Sequence, residues 1–125
     1  MITGIGVDII EIARIQESVD QSGERFLRKV FTPNEITYCM SKQDRYQHFA
    51  SRFAAKEAVS KALSTGWTGE FSWKDVEVMN DGSGQPRITL YGRLRERLAT
   101  ASVLISLSHS ESHVVAMALI EEPTL

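Results

Sequence analysis

Apolar residues alternate with small or polar residues through the first ten positions, which is the pattern of a β-strand. β-Branched residues dominate residues 2–10 and glycines interrupt them, so we expect a short buried strand here. Alternate side chains of a strand lie on opposite faces. One face has three branched apolar side chains and the other has two glycines and a carboxylate: Ile5, Val7 and Ile9 against Gly4, Gly6 and Asp8. The glycine face leaves room for another group to approach closely.

The period of the apolar positions then changes between that of helices and that of strands. A helix at 12–19 is expected to stop at Gly23, and a short turn is expected at 25–30. The capping box TPNE at 32–35 begins a helix towards Met40. The remaining elements follow from the same periods and from turn residues: helices at 44–66 and 94–101, a loop at 66–73, strands at 75–79, 87–91, 103–108 and 113–120. This order predicts an α+β fold with a mostly antiparallel sheet and one long helix.

The long predicted helix carries more charge than a core helix needs. Glu57 and Lys61 lie one turn apart on one face, and the neighbouring ridge contains Arg52, Lys56 and Ser60. Two interpretations stay open from this segment alone. The charges form a solvated face with an i,i+4 Glu–Lys pair, or they form a site that holds a metal ion and a polyphosphate together.

Two further polar residues lie in or next to apolar strands. A carboxylate at Asp8 is expected to cap the following helix, to pair with Arg14, or to bind a metal ion. With Glu57 it would supply the hard oxygen ligands that Mg²⁺ prefers. His109 ends an apolar strand at the rim where the chain turns, where a histidine satisfied by the hydroxyl-rich turn is the simpler interpretation. A Ser-His-Asp hydrolase would need a Gly-x-Ser-x-Gly elbow, which the sequence lacks.

Composition narrows the class of protein. The 125 residues suffice for one domain with its own core, and a net charge of −2 argues against nucleic-acid binding. The apolar N-terminal run is too short, and too interrupted by Asp8, to cross a membrane. Cys39 is the only cysteine, which excludes an intrachain disulfide and favours a cytoplasmic location. Positive charge is concentrated before residue 62, which suits an acidic or phosphorylated partner.

Three segments, taken together, resemble the holo-[acyl-carrier-protein] synthase family, the short bacterial-type 4′-phosphopantetheinyl transferases. These segments are GIGVDIIEI at 4–12, RFAAKEA at 52–58 and LSHS at 107–110. Shorter segments agree in identity, order and spacing: VFT at 30–32, WKDVEV at 73–78 and ND at 80–81. The resemblance therefore covers the whole length of the chain.

The resemblance implies a reaction, a fold and an assembly. Coenzyme A would donate its 4′-phosphopantetheine arm to a serine of apo-acyl-carrier protein, leaving adenosine 3′,5′-bisphosphate, for fatty acid biosynthesis. The fold would be the compact α+β fold of these transferases, assembled as a homotrimer with active sites at the subunit interfaces. Two alternatives stay open: a coenzyme A-binding module without turnover, and a transferase that acts on another carrier domain.

The resemblance also implies roles for particular residues. Asp8, Glu57 and Lys61 would be catalytic, with the two carboxylates binding Mg²⁺ and the lysine facing the pyrophosphate. Arg52 and His109 would bind coenzyme A together with Lys61. The serine proton would pass either to a metal-bound water held by Glu57 or to a deprotonated Lys61. Since carrier proteins are strongly acidic, three arginines are expected to form a docking surface: Arg14, Arg25 and Arg28.

Overall fold

The computed structural model describes residues 1–63 and 72–124. The helices are α1 (Ile12–Ser22), α2 (Glu24–Val30), α3 (Pro33–Met40), α4 (Arg45–Ala62) and α5 (Gly92–Arg97). The strands are β1 (Ile2–Glu11), β2 (Val76–Asn80), β3 (Pro86–Leu90), β4 (Ser102–His109) and β5 (His113–Glu121), and a short 3₁₀ helix, Trp73–Asp75, precedes β2. In this part of the chain no helix has both the length and the apolar composition to span a membrane.

The described strands form two antiparallel sheets. The larger sheet has the order β1-β5-β4, so the C-terminal strand lies in its middle. Its register places Asp8 opposite Ala116 of β5, and Ala116 opposite Leu107 of β4. The smaller sheet is the β2-β3 hairpin, in which Val78 lies opposite Ile88. Helices and antiparallel sheets together give the predicted α+β class.

Helix α4 packs directly on the glycine face of β1. A Cβ atom at Gly6 would lie 2.0 Å from the carbonyl oxygen of Ala58, and one at Gly4 would lie 2.0 Å from that of Ala62. Cβ atoms essentially never approach an oxygen so closely, so the contact requires residues without a side chain. The group that occupies the space left by the glycines is therefore the backbone of α4.

The opposite face of β1 lies on the outside, which corrects the prediction of a buried strand. Ile5, Val7 and Ile9 are 65%, 56% and 61% exposed. Because α4 covers the glycine side, the branched side chains are left on the outer surface of the sheet. Within the described residues, β1 is therefore buried on one face only.

The turn predicted at 25–30 is wrong, because these residues belong to helix α2. Gly23 does end α1 as predicted, with a φ of 52° and its N–H bonded to the carbonyl oxygen of Val19. The next helix begins at the following residue. Leu27 and Val30, three positions apart, both lie on the buried side of that helix, and this packing favours a helix over a turn.

Other predicted boundaries agree or shift by a few residues. The capping box is confirmed, since the Thr32 hydroxyl accepts a bond from the N–H of Glu35 and the Glu35 carboxylate accepts one from the N–H of Thr32. The helix predicted at 94–101 spans Gly92–Arg97. The predicted helix stop at 65–66 and most of the predicted loop at 66–73 lie outside the described residues.

Candidate functional site

The contact between β1 and α4 places Lys61 beside Asp8. Lys61 Nζ donates hydrogen bonds to Asp8 Oδ1 and to the carbonyl oxygen of Val7, each at 3.0 Å. The side chain of Asp8 is 13% exposed and that of Lys61 is 53% exposed. In this geometry Asp8 pairs with Lys61 rather than with Arg14, and the N-cap of α1 is Glu11, not Asp8.

One carboxylate oxygen of Asp8 is unsatisfied. Asp8 Oδ2 is buried and has no hydrogen-bond partner among the described residues. A buried oxygen in this state costs free energy unless a ligand satisfies it. Glu57, partly buried, lies one turn before Lys61 on α4. Asp8 and Glu57 supply carboxylate oxygens, the type of ligand that Mg²⁺ takes together with several waters.

A metal of another kind has less support. Within residues 1–63 and 72–124, no group of three or more His, Cys, Asp or Glu side chains is arranged to hold a metal ion. A structural zinc site would need four such ligands, and a catalytic one three. A site with two carboxylates suits a cation that takes its remaining ligands from water and from substrate phosphates.

The ridge of α4 next to Glu57 and Lys61 is buried. Arg52, Lys56 and Ser60 are each exposed by 2% or less. Lys56 therefore does not belong to a solvated face. Its charge is already compensated inside the protein.

That compensation is a buried ion pair that the sequence analysis missed. Lys56 Nζ lies 2.9 Å from Glu35 Oε1, and both side chains are 0% exposed. The ammonium group also donates to the carbonyl oxygens of Trp73 and Val76, while Glu35 accepts the N–H of Val78. Burial lowers the pKa of Lys56, and the charge of Glu35 opposes that shift. The only sequence signal was the position of Glu35 in the capping box.

Arg52 lies more than two turns before Lys61 on α4 and contacts different elements. Its Nη2 donates to Asn80 Oδ1 at 2.9 Å, and its guanidinium carbon lies 4.4 Å from the centre of the Tyr38 ring. Its Nε is buried and has no acceptor in the described part of the chain. The described geometry thus joins Arg52 to Asn80 and Tyr38, and not to the Asp8–Lys61 pair.

His109 shares a sheet face with Asp8 but lies two strands away. In the sheet register Asp8 is level with Leu107, and His109 is two residues further along β4. Two strand spacings correspond to about 10 Å. His109 is exposed and lines an open groove of about 430 Å³ with five other residues: Ile9, Ser108, Ser110, His113 and Val115.

The three arginines predicted to dock a carrier protein are exposed on α1 and α2. Arg28 forms a salt bridge with Glu24 at 3.1 Å, and this pair is exposed, so it contributes little to stability. Arg14 and Arg25 have no salt bridge to any residue in the described ranges. The three side chains therefore lie on the protein surface, on two consecutive helices.

Comparison with known proteins assigns the class. The family model of the 4′-phosphopantetheinyl transferase superfamily matches residues 4–118, which include every candidate residue described above. The chain therefore belongs to the 4′-phosphopantetheinyl transferase superfamily.

The similar proteins narrow this class to one family. The holo-[acyl-carrier-protein] synthase of Protochlamydia amoebophila is 47% identical over 119 residues, which cover 95% of this chain and 98% of that protein. The enzyme of the same name from Geobacter sp. is 47% identical over 97% of this chain and 99% of its own length. Within the superfamily, the chain belongs to the holo-[acyl-carrier-protein] synthases.

Solved structures agree with this assignment. The holo-[acyl-carrier-protein] synthase of Neisseria meningitidis is 32% identical with a TM-score of 0.89, and the alignment covers 98% of this chain and 100% of that chain. The Helicobacter pylori enzyme, whose structure is a complex with coenzyme A, is 33% identical with a TM-score of 0.84 over 94% of this chain and 99% of that chain.

Proposed function

We propose that this protein is a holo-[acyl-carrier-protein] synthase that transfers 4′-phosphopantetheine from coenzyme A to a serine of apo-acyl-carrier protein, for fatty acid biosynthesis. One observation carries the proposal: Asp8 pairs with Lys61 at the β1–α4 contact and keeps a buried oxygen without a partner. The family assignment and the coenzyme A complex of a relative support the choice of substrate. One domain over residues 1–125 carries the activity.

The reaction exchanges one phosphorus–oxygen bond for another. The serine oxygen bonds to the phosphorus atom that carries the pantetheine arm, and the bond from that atom to the bridging oxygen of the pyrophosphate breaks. Adenosine 3′,5′-bisphosphate leaves, and the serine proton passes to a base. Such a transfer depends mainly on positioning and on neutralisation of charge. Lys61, a half-exposed ammonium group on a rigid helix, supplies positive charge to the phosphate oxygens.

Asp8 and Glu57 are the residues that would hold Mg²⁺. When bound, Mg²⁺ adds positive charge at the pyrophosphate. The unsatisfied Asp8 Oδ2 and the position of Glu57 one turn before Lys61 support this assignment. Both side chains belong to regular elements in close contact, so their carboxylates need little ordering when a cation arrives.

Arg52 and His109 are assigned to the remainder of coenzyme A. Arg52 retains a buried N–H at Nε without an acceptor in the described residues, and such a donor suits a phosphate oxygen. His109 lies two residues beyond the register position of Asp8 on β4, on the same sheet face, and its exposed ring also lines the open groove at this end of the sheet. Lys61 is the third residue assigned to coenzyme A binding, through its ammonium group.

Carrier docking is assigned to Arg14, Arg25 and Arg28. They are exposed on consecutive helices, and Arg14 lies on the helix that directly follows the strand of Asp8. An acidic carrier protein would be attracted to such a surface over a distance set by the ionic strength.

A homotrimer is proposed from the outer face of the larger sheet. Exposed apolar side chains on it come from all three strands: Ile5, Val7, Ile9, Leu104 and Met117. Val7 lies opposite Met117, so these side chains form a continuous surface. Helix α4 covers the opposite face of the sheet, so these side chains stay exposed in the single chain. An exposed apolar patch of this kind indicates a protein partner. Copies of the same chain are the proposed partner, as the family resemblance implies.

The cytoplasm is the proposed compartment. Cys39 is an unpaired, buried thiol, as expected in a reducing environment. Burial raises the pKa of Cys39 to about 12, so the residue is not a reactive thiolate.

One incubation tests the activity. The protein is mixed with coenzyme A, Mg²⁺ and apo-acyl-carrier protein, and the carrier is weighed by mass spectrometry. We expect a mass gain of one phosphopantetheine group per carrier, absent when coenzyme A is omitted. Binding of coenzyme A without any gain would identify a binding module, and a gain only on a different carrier domain would change the substrate.

A further inference from the structure

The ammonium group of Lys61 already contacts one carboxylate oxygen of Asp8, the proposed metal ligand. Lys61 Nζ is held at 3.0 Å from Asp8 Oδ1 and at 3.0 Å from the carbonyl oxygen of Val7. The other oxygen, Asp8 Oδ2, is buried without a partner in the described residues. In the protein without ligands, the charge of Asp8 is therefore compensated by a residue of the same chain.

The two partners differ in how easily they can move. Asp8 is 13% exposed and lies on β1, which is held between β5 and α4. Lys61 is 53% exposed, in the last turn of α4, and its long side chain reaches solvent. A new partner for Asp8 would displace the lysine, since the carboxylate is fixed by its surroundings.

A divalent cation and this ammonium group compete for the same carboxylate. Two positive charges a few ångströms apart repel each other. A cation that binds Asp8 without other ligands is therefore bound less tightly, because the ammonium group of Lys61 repels it. A pyrophosphate reduces this repulsion in two ways. It offers the ammonium group another anionic partner, and it brings negative charge to the cation.

We infer that Lys61, paired with Asp8 in the free protein, weakens the binding of a bare divalent cation to Asp8. The site therefore takes up the cation together with a pyrophosphate ligand rather than as the bare ion. The identity of that ligand as coenzyme A rests on the proposed function. Affinity for the cation and affinity for coenzyme A are then coupled, and each raises the other by the same factor. Lys61 is the source of part of this coupling.

The experiment measures Mg²⁺ binding by calorimetry in wild type and in Lys61→Met, each with and without coenzyme A. Without coenzyme A, we expect the variant to bind Mg²⁺ about fivefold more tightly, the size typical of an exposed ion pair. We also expect coenzyme A to improve Mg²⁺ affinity by a smaller factor in the variant than in wild type. Lys61→Gln, which keeps a polar side chain, serves as a second variant.

Lys29→Met is the matched control, since Lys29 is an exposed lysine on α2 and the change removes the same charge. Its Mg²⁺ affinity should stay within about twofold of wild type, because exposed distant charges are screened. Equal or weaker Mg²⁺ binding by both Lys61 variants would overturn the inference. Absence of Mg²⁺ binding to any form, even with coenzyme A, would overturn it together with the metal assignment.

The measurements distinguish a failure of this inference from a failure of the proposed function. Transfer to the carrier is measured on wild type by mass, whereas the inference is measured by binding without any carrier. A wild type that modifies the carrier, combined with unchanged Mg²⁺ binding in Lys61→Met, would remove the inference only. Tighter Mg²⁺ binding in the variant, combined with no transfer by wild type, would remove the proposed function only.

Discussion

Asp8 is a carboxylate in an apolar strand, and its two oxygens have different surroundings. Oδ1 accepts a hydrogen bond from Lys61, and Oδ2 is buried without a partner in the described residues. The large majority of buried side-chain polar atoms in proteins have a hydrogen-bond partner. This is the reason for proposing Asp8 as a ligand for something that the protein binds, with Glu57 on the adjacent helix as the proposed second carboxylate.

Replacing either carboxylate should remove the activity and spare the fold. For Asp8→Ala and Glu57→Ala we expect transfer rates at least about a hundredfold lower, because charge stabilisation at the phosphates is lost. The melting temperature of Asp8→Ala should stay close to that of wild type, since the unsatisfied buried oxygen is removed together with an exposed ion-pair contact. Transfer is measured by mass and unfolding by circular dichroism.

Glu17→Ala is the control for these two variants, because Glu17 is an exposed carboxylate on α1. It should transfer at the wild-type rate. Full activity of Asp8→Ala or Glu57→Ala at low Mg²⁺ concentration would contradict the metal assignment.

Arg14 is proposed to act in a different step, the approach of the carrier. Arg14→Glu should weaken carrier binding, mainly by slowing association, because it reverses one favourable charge contact. The affinity for coenzyme A should hardly change, since Arg14 lies on α1 and Lys61 lies on α4. The defect should shrink at high salt, where wild type also loses its electrostatic attraction.

Both affinities are measured at low and high ionic strength. Arg93→Glu makes the same charge change at an exposed position on α5 and should leave carrier affinity close to that of wild type. Unchanged carrier affinity of Arg14→Glu at low salt would show Arg14 to be an ordinary surface residue. An equal loss of coenzyme A affinity would show that the two binding surfaces overlap.

At the scale of elements, the site depends on how closely α4 approaches β1. The glycines allow backbone contact between the two elements, and this contact brings Lys61 to Asp8 across 53 positions of sequence. On another side, the buried Lys56–Glu35 pair attaches α4 to α3 and to the beginning of β2. Removal of one partner of such a pair leaves an uncompensated buried charge, so the pair also helps to define the position of α4.

Gly6→Ala tests the approach of the two elements. The added methyl group would lie 2.0 Å from a backbone oxygen of Ala58, so the helix must move away from the strand. We expect a loss of about 3 kcal/mol in the free energy of unfolding, the upper range for overpacking. Transfer activity should fall as well, because Lys61 moves with the helix.

Gly82→Ala is the matched control, since a Cβ atom at Gly82 would meet nothing within 4 Å. Its free energy of unfolding should stay within about 0.5 kcal/mol of wild type. Both variants are compared by urea unfolding. Equal stability of Gly6→Ala and Gly82→Ala would mean that the close contact between α4 and β1 is not required.

At the scale of the whole molecule, the larger sheet is covered by α4 on one face and exposed on the other. The exposed face combines branched apolar residues of β1 with Leu104 and Met117 of the neighbouring strands. A single chain gains nothing from such a surface in water. Assembly of three chains would bury it and would place each Asp8, which lies on the covered side of the same strand, next to an interface.

Sedimentation equilibrium tests the assembly. At micromolar concentration we expect three times the mass of one chain for wild type. Val7→Glu places a charge in the centre of the apolar face and should shift the equilibrium to monomers, because burial of an unpaired charge is costly. Thr37→Glu, an exposed position on α3, should remain trimeric. A wild type that stays monomeric at this concentration would exclude the trimer.

Local signals in the sequence determined most of the elements and the chemical character of the site. Alternation in 2–10 placed the glycines and Asp8 on one face, and the capping box set the beginning of α3. These signals act over a few residues, so they can be read along the chain. The three family-like segments pointed to Asp8, Glu57 and Lys61 as the candidate site, and of these the structure brings Lys61 into contact with Asp8.

Tertiary structure decided which of these residues meet and which faces are covered. Glycine allows close approach, but only the packing showed that a helix backbone fills that space and leaves Ile5, Val7 and Ile9 outside. Lys56 and Lys61 look alike in sequence, yet one is buried against Glu35 and the other contacts Asp8. Such pairings join distant parts of the chain, because they depend on how whole elements pack and not on local propensity.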